Sequence, residues 1–481
     1  MNLRHTIFAS TLTTILVLGA CGGAGSNSSA SGNNPTAGIG GTGAPASAKT
    51  SGSITGFGSI FVNGIEFNTA TSTILIDGKA GTEADLKLGM VVNVSGDYDS
   101  AAGTGTAVTV EFNDSVQGPV ADIVTNLDLT EKRLTILGVP VLVVDGSTVF
   151  DGVGFGSLAV DDLLEVSGFY DADGLLHATR VEKKTGSEVE LEGHIGSVDS
   201  GAMTFTLGSY TVDYRNADLS ALPGSAPAVD LSVEVRGTLA GTTITASTVR
   251  QEEDFFGTDE DKASLEGLIS DLNVAGPNTF RVAGRLVDVS AASFSPASLQ
   301  TALANNIKVE VEGTLVGGVL KAAIVESRQG SLAARATVQG IAGKTITLGI
   351  GNGQSVSFNV DDQTRFDDER SDAVLTLGGI NPGDYLKVRM VDTGSAYLAT
   401  EVTRDEPDHE LLRGPVDSFD SGSVTLLGVT YTVDHDTQFQ DSNDQEIKTS
   451  SAFFSMMSVG DTVKVEDERP GDGVADELEF E

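Results

Sequence analysis

Short runs of alternating apolar and polar residues, separated by Gly, Asp and Asn, fill the chain from about residue 51 onward. Alternation with a period of two is typical of half-buried β-strands, and the interruptions are typical of tight turns. One run, residues 86–96 (LKLGMVVNVSG), recurs five more times in variant form. The later copies end at Gly168, Gly237, Gly313, Met390 and Asp467. The pattern predicts an all-β protein with about six copies of one unit.

Each unit contains five such segments, which are clearest in the second unit. Strand, strand, strand, short helix, strand, strand is the order of the five-stranded OB-type barrel. Residues 295–306, with Ser295 as the helix cap, and residues 450–461 have the apolar spacing of the short helix. We therefore predict tandem OB-like barrels with a short helix between strands three and four, and an open meander or sandwich of the same strands is the alternative. The five segments of the second unit are 115–123, 134–143, 145–150, 163–170 and 175–183.

A glycine recurs inside the first segment of every unit. Glycine fixed within a strand indicates a bulge, a bend or a close approach of another chain segment. We interpret the recurring residue as a structural device of the barrel. Its positions are Gly56, Gly118, Gly193, Gly267, Gly340 and Gly414.

The repeated motif returns at intervals of about 70 residues, which is the size of a small β module rather than of a solenoid repeat. We expect separate beads that pack on their neighbours, because modules this small bury limited apolar surface alone. An acidic run at 251–262 is predicted to be a linker between beads three and four. The predicted modules are 51–113, 114–184, 185–250, 263–330, 331–408 and 409–481.

The N-terminal residues depart from this pattern. Residues 1–20 carry Arg4 and His5 before an apolar run that is too short to span a bilayer, as in a cleaved signal peptide. The junction at residues 18–21 (LGAC) resembles the bacterial lipobox. That resemblance implies cleavage before Cys21 and lipid attachment to it.

Residues 21–50 are rich in Gly, Ser and Ala, and we predict a flexible tether there because such a segment buries little apolar surface. The residue after Cys21 is Gly22, which by resemblance to lipoprotein sorting rules points to the outer membrane. Which face of that membrane carries the protein is left open. Cys21 is the single cysteine of the chain, so no internal disulfide can form.

Charge limits the partners of the protein. Asp and Glu number 68 against 29 Lys and Arg, and the formal net charge is −39. Such a surface repels phosphate backbones, so we expect no nucleic acid partner. We expect contact with the membrane through the lipid anchor, and a protein or an envelope polymer is a compatible partner.

The sequence contains no arrangement of residues typical of an enzyme. The motifs GxSxG, HExxH and GxxxxGK[ST] are absent, and the five histidines are scattered. Two acidic turns contain residue types that bind metals. They are Asp434, His435 and Asp436, and residues 470–477. Neither turn has the complete set of ligands that a metal site needs. We predict no enzymatic activity, no catalytic residue, no cofactor and no metal site.

The lipobox, the tether and the tandem units together resemble a family of β-repeats of unknown function that is found in proteobacterial lipoproteins. The resemblance implies no catalytic residues. We expect a membrane-anchored surface or periplasmic protein that binds a partner or acts as a spacer, since tandem weak sites can sum to useful avidity. The alternative is an OB-like binder of a small molecule, glycan or protein that uses one module. A deep pocket in one module favours that alternative, and uniform shallow modules favour the spacer.

Overall fold

The alternating segments form short β-strands, as the pattern predicts. The computed structural model of the protein describes residues 48–480 apart from 127–129, 253, 328–329, 331, 362, 372–373 and 443–444. The described strands group into six modules in chain order. Module 1 contains β1 (Ala48–Phe57), β2 (Ile60–Val62), β3 (Ile65–Asn68), β4 (Thr73–Ile76), β5 (Lys79–Gly81), β6 (Val91–Asp99) and β7 (Thr104–Phe112). Module 2 contains β8 (Val116–Thr125), β9 (Glu131–Ile136), β10 (Val139–Val144), β11 (Val149–Asp151), β12 (Leu163–Tyr170) and β13 (Leu176–Lys183).

The remaining modules repeat this succession of strands. Module 3 contains β14 (Glu188–Asp199), β15 (Thr204–Leu207), β16 (Tyr210–Asp213), β17 (Ser232–Ala240) and β18 (Thr243–Gln251). Module 4 contains β19 (Glu260–Ser270), β20 (Thr279–Val282), β21 (Arg285–Asp288), β22 (Ser293–Ser295), β23 (Lys308–Val316) and β24 (Val319–Ser327). Module 5 contains β25 (Leu332–Ala342), β26 (Thr345–Ile350), β27 (Gln354–Asn359), β28 (Arg365–Asp368), β29 (Tyr385–Asp392) and β30 (Tyr397–Asp405). Module 6 contains β31 (Glu410–Phe419), β32 (Ser423–Leu426), β33 (Val429–Thr432), β34 (Gln438–Gln440), β35 (Thr462–Asp467) and β36 (Glu477–Phe480).

Each module closes into a small barrel through one parallel pair of strands. In module 2, β8 pairs antiparallel with β9 and β12, β9 pairs with β10, and β12 pairs with β13. The parallel pair of β10 and β13 completes the circle. Modules 1, 3, 4 and 5 close in the same way, and module 6 closes through the bridge between Thr432 and Val474. The prediction of OB-like barrels is confirmed, and the strands do not form an open sandwich.

The second segment of each unit is a hairpin rather than one strand. In module 2 the chain turns at Leu137 and Gly138, where φ is 48° and 79°. Positive φ at both central residues is the geometry of the tight turn that suits hairpin twist. Leu137 is buried, so the turn does not interrupt the apolar pattern. Five strands therefore close the barrel, and the short β11 pairs with β13 as a sixth.

A helical turn lies between the third and fourth barrel strands of every module, as predicted. The predicted helix over 295–306 is shorter than expected, because Ser295 belongs to β22, which pairs in parallel with β24. The α-helices are α1 (Leu299–Ala302) and α2 (Ser450–Met456), and the 3-10 turns are Glu83–Asp85, Phe155–Ser157, Pro223–Ser225 and Leu377–Gly379.

The recurring glycine of the first strand makes room for the hairpin turn. A Cβ on Gly118 would lie 2.7 Å from Cγ of the turn residue Leu137. The bulge predicted at this glycine lies two residues later, between Val120 and Asp122. The same offset from the bulge identifies Gly52 and Ala336 as the equivalents in modules 1 and 5. From the sequence we had predicted Gly56 and Gly340 as the structural glycines of these two modules, but both residues follow the bulge.

Modules pair through their first strands, and not only with neighbours in sequence. The second strand covers only the C-terminal half of the first strand, so the other half has a free edge that must pair or be covered. β8 of module 2 pairs with β14 of module 3, and β25 of module 5 pairs with β31 of module 6. β1 of module 1 runs parallel to β19 of module 4. The pairs of modules are therefore 1 with 4, 2 with 3, and 5 with 6.

The buried apolar side chains follow this pairing. Modules 2 and 3 share one continuous hydrophobic core, and so do modules 5 and 6. Modules 1 and 4 keep separate cores beneath their paired strands. Residues Ala44–Glu481 form one compact unit. Modules 2 and 3 and modules 5 and 6 pack on their neighbours in sequence, as expected, whereas module 1 packs on module 4, which is not its neighbour.

The predicted acidic linker over 251–262 differs from the structure. Its last residues belong to β19, which starts at Glu260. Phe256 is buried in the core of module 4. Nζ of Lys262 donates a hydrogen bond to the carbonyl of Tyr98 in module 1. The acidic composition predicted a solvated segment, but Phe256 packs in module 4 and Lys262 contacts module 1.

The N-terminal predictions fall mostly beyond the described residues. β1 begins at Ala48, so the last three residues of the predicted tether (21–50) belong to module 1. The rest of the tether, the signal peptide (1–20) and the lipid attachment at Cys21 lie outside the described residues. Nowhere in the described chain is a helix long and apolar enough to cross a membrane.

Candidate functional site

A cavity of about 1670 Å³ lies where modules 1, 2 and 5 meet. Its walls come from barrel strands, from short turns between strands and from the loop that follows β28. Module 1 contributes its β2–β3 hairpin and its 3-10 turn, module 2 contributes β11, and module 5 contributes β28 and the loop after it. Because the walls come from three modules, the site exists only when these modules pack together.

Aromatic rings from all three modules line the cavity. Phe57 and Phe61 come from module 1, Phe150 from module 2 and Phe366 from module 5. Each of these side chains is half-buried. Phe57, Phe150 and Phe366 also pack on the cores of their own modules. The rings are thus held in place and present an apolar, electron-rich surface to the cavity.

Seven carboxylates and four cationic side chains line the same cavity. Some carboxylates have protein partners. Asp368 accepts hydrogen bonds from Nε of Arg404 at 2.9 Å and from Nη2 at 2.5 Å, and these bonds lower the pKa of Asp368. Asp151 pairs with Arg180. These two ion pairs fix the walls rather than await a ligand.

Two other carboxylates form no ion pair among the described residues, although the charges of Arg365 and Arg180 act on Asp367 from a greater distance. Asp367 accepts a hydrogen bond from the backbone N–H of Asp368 at 2.9 Å, and burial raises the pKa of Asp367. The carboxylate of Glu66 forms no ion pair or hydrogen bond with the described residues. Carboxylates beside aromatic rings attract ammonium and guanidinium groups through charge and through cation–π contact. The cavity is therefore suited to a positively charged ligand with apolar groups.

A second acidic cluster is buried where modules 1, 2 and 3 meet. Oxygens of Asp77, Asp114 and Glu190 all lie within 4.8 Å of one another. Nη2 of Arg236 lies 3.1 Å from Asp77 and 2.7 Å from Glu190. Burial raises the pKa of Asp114, and burial together with the charge of Asp114 raises the pKa of Glu190. Oxygen donors of this kind can hold a hard cation, but the guanidinium already supplies positive charge, and we interpret the cluster as an ionic joint between modules.

Of the acidic turns singled out in the sequence, the one at residues 434–436 is exposed and the one at residues 470–477 is partly buried. His435 lies 3.4 Å from Asp436, and both side chains are largely in solvent. In the turn at residues 470–477, Asp476 pairs with Arg469 at 2.8 Å, and Asp472 accepts a hydrogen bond from the N–H of Val474 at 2.8 Å. These carboxylates serve the turn itself. That no metal binds there stays a prediction.

Sequence reasoning did not find the cavity residues. Asp367 and Glu66 are about 300 positions apart in the chain, and the contact between modules 1 and 5 has no local pattern. One signal was present, because Phe150 and Phe366 occupy the same place at the end of the third segment. From the sequence we interpreted that phenylalanine as part of a half-buried strand. In the structure it packs on the core of its module and also lines the cavity.

Comparison with known proteins gives a family and little else. The family described as "Domain of unknown function (DUF5666)" matches residues 51–111, 117–182, 266–326, 335–403 and 413–479. These matches correspond to modules 1, 2, 4, 5 and 6, and module 3 has the same strand pairing without a match. No curated protein matches the chain.

Among solved structures, the chain is similar to one titled "drosophila Unr CSD456", at 12% identity and a TM-score of 0.18. The match covers 45% of this chain and 97% of that one. A similarity at this level carries no argument about fold or function. The five family matches together span more than half of the sequence, and the chain therefore belongs to the DUF5666 family, whose function is unknown.

Proposed function

We propose that this protein is a lipid-anchored binding protein of the cell envelope whose ligand occupies the cavity between modules 1, 2 and 5. The cavity supports binding, because it combines aromatic rings with two carboxylates that form no ion pair among the described residues. A spacer gains reach from modules in series, whereas here modules 1 and 4 are paired and the strands form one compact unit. The lipobox-like residues before Cys21 support the anchor.

The ligand class follows from size and charge. Pockets for small molecules usually enclose about 300 to 1,000 Å³, and this cavity is larger. Asp367 and Glu66 favour positive charge, and the four phenylalanines favour apolar side chains. We infer that the ligand is a basic segment of a partner protein with aromatic or aliphatic residues among its cationic ones. The single-module binder considered from the sequence is less well supported, because three modules form the walls.

The test is a binding measurement with a defined probe. A short fluorescein-labelled peptide of alternating lysine and phenylalanine is titrated with the protein, and fluorescence anisotropy gives the affinity. The double variant Glu66→Gln and Asp367→Asn is expected to bind about tenfold more weakly, a change of about 1.4 kcal/mol, because both carboxylates lose their charge. A peptide with glutamate in place of lysine is expected not to bind.

The matched control is Asp122→Asn, which removes one charge from an exposed position in β8 outside the cavity wall. It is expected to leave the affinity unchanged within about twofold, because charge far from the ligand is screened. Equal binding of the lysine and glutamate peptides, or equal weakening by the control, would mean that the cavity does not select a basic ligand.

A further inference from the structure

We propose that Glu410 and Asp467 form a proton-sharing pair that holds the module 6 barrel closed in acid and releases its last turn as the pH rises. Glu410 is the first residue of β31 and Asp467 is the last residue of β35, and the register of these antiparallel strands places them directly opposite each other. Directly opposite side chains lie about 5 Å apart, so the two carboxylates repel each other when both are ionised. Neither residue lines the cavity between modules 1, 2 and 5.

An acidic pair is an exception at this place in the repeat. Asp467 stands where four copies of the opening motif end in glycine. In module 2, a Cβ on that glycine, Gly168, would be 2.2 Å from a carbonyl oxygen of the partner strand. In module 6 the pairing of β36 with β35 starts at Glu477 opposite Glu466, so β36 does not extend over Asp467 and a side chain fits there. The equivalent pairs in modules 1, 3, 4 and 5 have no carboxylate and are Ala48 with Gly96, Val189 with Gly237, Ala263 with Gly313, and Leu332 with Met390.

Both carboxylates are buried, and among the described residues their hydrogen-bond donors are backbone N–H groups. Oε2 of Glu410 accepts a hydrogen bond at 2.8 Å from the N–H of Gly351, in the turn between β26 and β27 of module 5. Asp467 accepts hydrogen bonds from the N–H of Arg469 at 2.9 Å and from the N–H of Gly473 at 3.3 Å. Neither carboxylate forms an ion pair with a described residue. Buried negative charge without a cation beside it is costly, which favours a proton shared by the pair.

The acidic residues around the pair make two ionised carboxylates still less favourable. Burial raises the pKa of Asp467 to about 6, and the charges of Asp472 and Asp476 contribute to that increase. Burial and the charge of Asp467 raise the pKa of Glu410. Arg469 is the cation of this turn, but its guanidinium lies 2.8 Å from Asp476 and 3.8 Å from Asp472. Its positive charge is therefore matched by those two carboxylates.

The other elements packed around the pair add no positive charge. Tyr431 of β33 is buried, and its hydroxyl has no hydrogen-bond partner among the described residues. Burial and the charges of Glu410 and Asp467 raise the pKa of Tyr431, so the side chain stays a neutral phenol. The module 5 turn at residues 351–353 has no ionisable side chain. A proton is thus the simplest species that neutralises one of the two carboxylates.

The turn that follows Asp467 closes the module 6 barrel. Its bridge joins Thr432 to Val474. The N–H of Thr432 donates to the carbonyl of Gly473 at 3.0 Å, and the N–H of Ala475 donates to the carbonyl of Thr432 at 2.9 Å. Gly473 also donates its own N–H to Asp467. Because the acidic pair and the bridge share this glycine, repulsion within the pair acts on the closure of the barrel.

The direction of the pH effect follows from the raised pKa. When the turn opens, Asp467 regains the pKa of an exposed aspartate, about 3.9, whereas its pKa in the closed barrel is about 6. The closed state therefore holds more protons between about pH 4 and about pH 6, and closure loses free energy as the pH rises through that window. A difference of this size changes the opening equilibrium about tenfold between about pH 5 and about pH 8. The raised pKa of Glu410 acts in the same direction.

The experiment measures amide hydrogen exchange of the whole protein by mass spectrometry at about pH 5 and about pH 8, corrected for the intrinsic exchange rates. Residues 467–476 are expected to open about tenfold more often at the higher pH. Asp467→Asn is expected to remove most of this dependence, because an amide has no proton to lose and can donate a hydrogen bond to Glu410. Glu410→Ala combined with Asp467→Gly, which introduces the pair of residues found in modules 1 and 4, is expected to remove it as well.

Glu468→Gln is the matched control, because it removes an exposed carboxylate next to the pair. It is expected to keep the dependence of about tenfold. Circular dichroism checks that each variant is folded at both pH values, and the exchange of the unmodified protein tests the proposal if the variants are not. Opening of residues 467–476 that does not increase with pH in the unmodified protein would overturn the proposal. The same holds for an unchanged dependence in either folded variant of the pair, or for its loss in Glu468→Gln.

Discussion

Replacing Cys21 with Ala is expected to move the protein from the membrane fraction to the soluble fraction. Cys21 is the single cysteine, so no other thiol can carry the lipid. Several acyl chains on one residue form an effectively permanent anchor, whereas the acidic surface has no affinity for anionic headgroups. The measurement is fractionation of cells followed by a high-salt wash, with the protein detected in each fraction.

Gly22→Asp is the matched control for this prediction. It retains Cys21, so the variant is expected to stay in the membrane fraction, while the sorting rules that Gly22 resembles predict a shift from outer to inner membrane. If the Cys21→Ala protein sediments with membranes after the wash, the protein is held there by something other than a lipid on Cys21.

Gly168→Val is expected to unfold module 2, with a loss of about 3 kcal/mol or more. Gly168 lies at a bulge of β12, and a Cβ there would be 2.2 Å from the carbonyl oxygen of His177 on β13. Backbone cannot move aside as a side chain can, so the antiparallel pair of β12 and β13 must separate. Urea unfolding monitored by circular dichroism gives the size of the loss from its earliest transition.

Gly156→Ala provides the control within the same module. It lies in the 3-10 turn, and a Cβ there would meet no atom within 4 Å, so a change of less than about 0.5 kcal/mol is expected. Similar urea midpoints for both variants would contradict the steric explanation.

The same contact explains why the sequence repeats its opening motif. A Cβ would lie 2.1 Å from the partner carbonyl at Gly96 and Gly313, and 2.2 Å from it at Gly237. Four copies of the motif therefore end in glycine, because the partner strand crosses directly over the bulge. Module 5 keeps the bulge with Met390, whose side chain is buried in the core shared with module 6. The repetition thus reflects one recurring backbone geometry.

Local patterns in the sequence predicted the fold of each module, because alternation, turn residues and recurring glycines are short-range signals. The hairpin turn at Leu137 was missed, since its side chain is apolar and continues the alternation. The acidic composition of residues 251–262 led us to predict a solvated linker, but Phe256 in that segment is buried. In each case a buried side chain overrode the signal of its neighbours.

The arrangement of the modules could not be predicted in the same way. All six first strands have similar patterns, so nothing in the sequence identifies module 4 as the partner of module 1. The cavity depends on the packing of modules 1, 2 and 5, which the sequence does not indicate either. A candidate site formed between modules therefore became visible only with the structure, whereas Cys21 is predicted as a lipid attachment site from its own sequence context.

The most direct test of the compact arrangement is a disulfide between modules 1 and 4. Thr50 of β1 and Ser264 of β19 are register partners in a parallel pair, and both are buried. Adjacent strands bring Cα atoms about 4.8 Å apart, which is within the range that a disulfide spans. The variant carries Thr50→Cys and Ser264→Cys in a Cys21→Ser background, so that it has only these two thiols.

The control pairs Thr50→Cys with Asp122→Cys, at an exposed position of module 2 that does not pair with β1. Thiol titration and electrophoresis without reductant measure cross-linking in both proteins. The Thr50 and Ser264 pair is predicted to oxidise within one chain to near completion, while the control stays reduced. If the Thr50 and Ser264 thiols stay free, or link only between chains, modules 1 and 4 do not pair through β1 and β19 and the compact arrangement is contradicted.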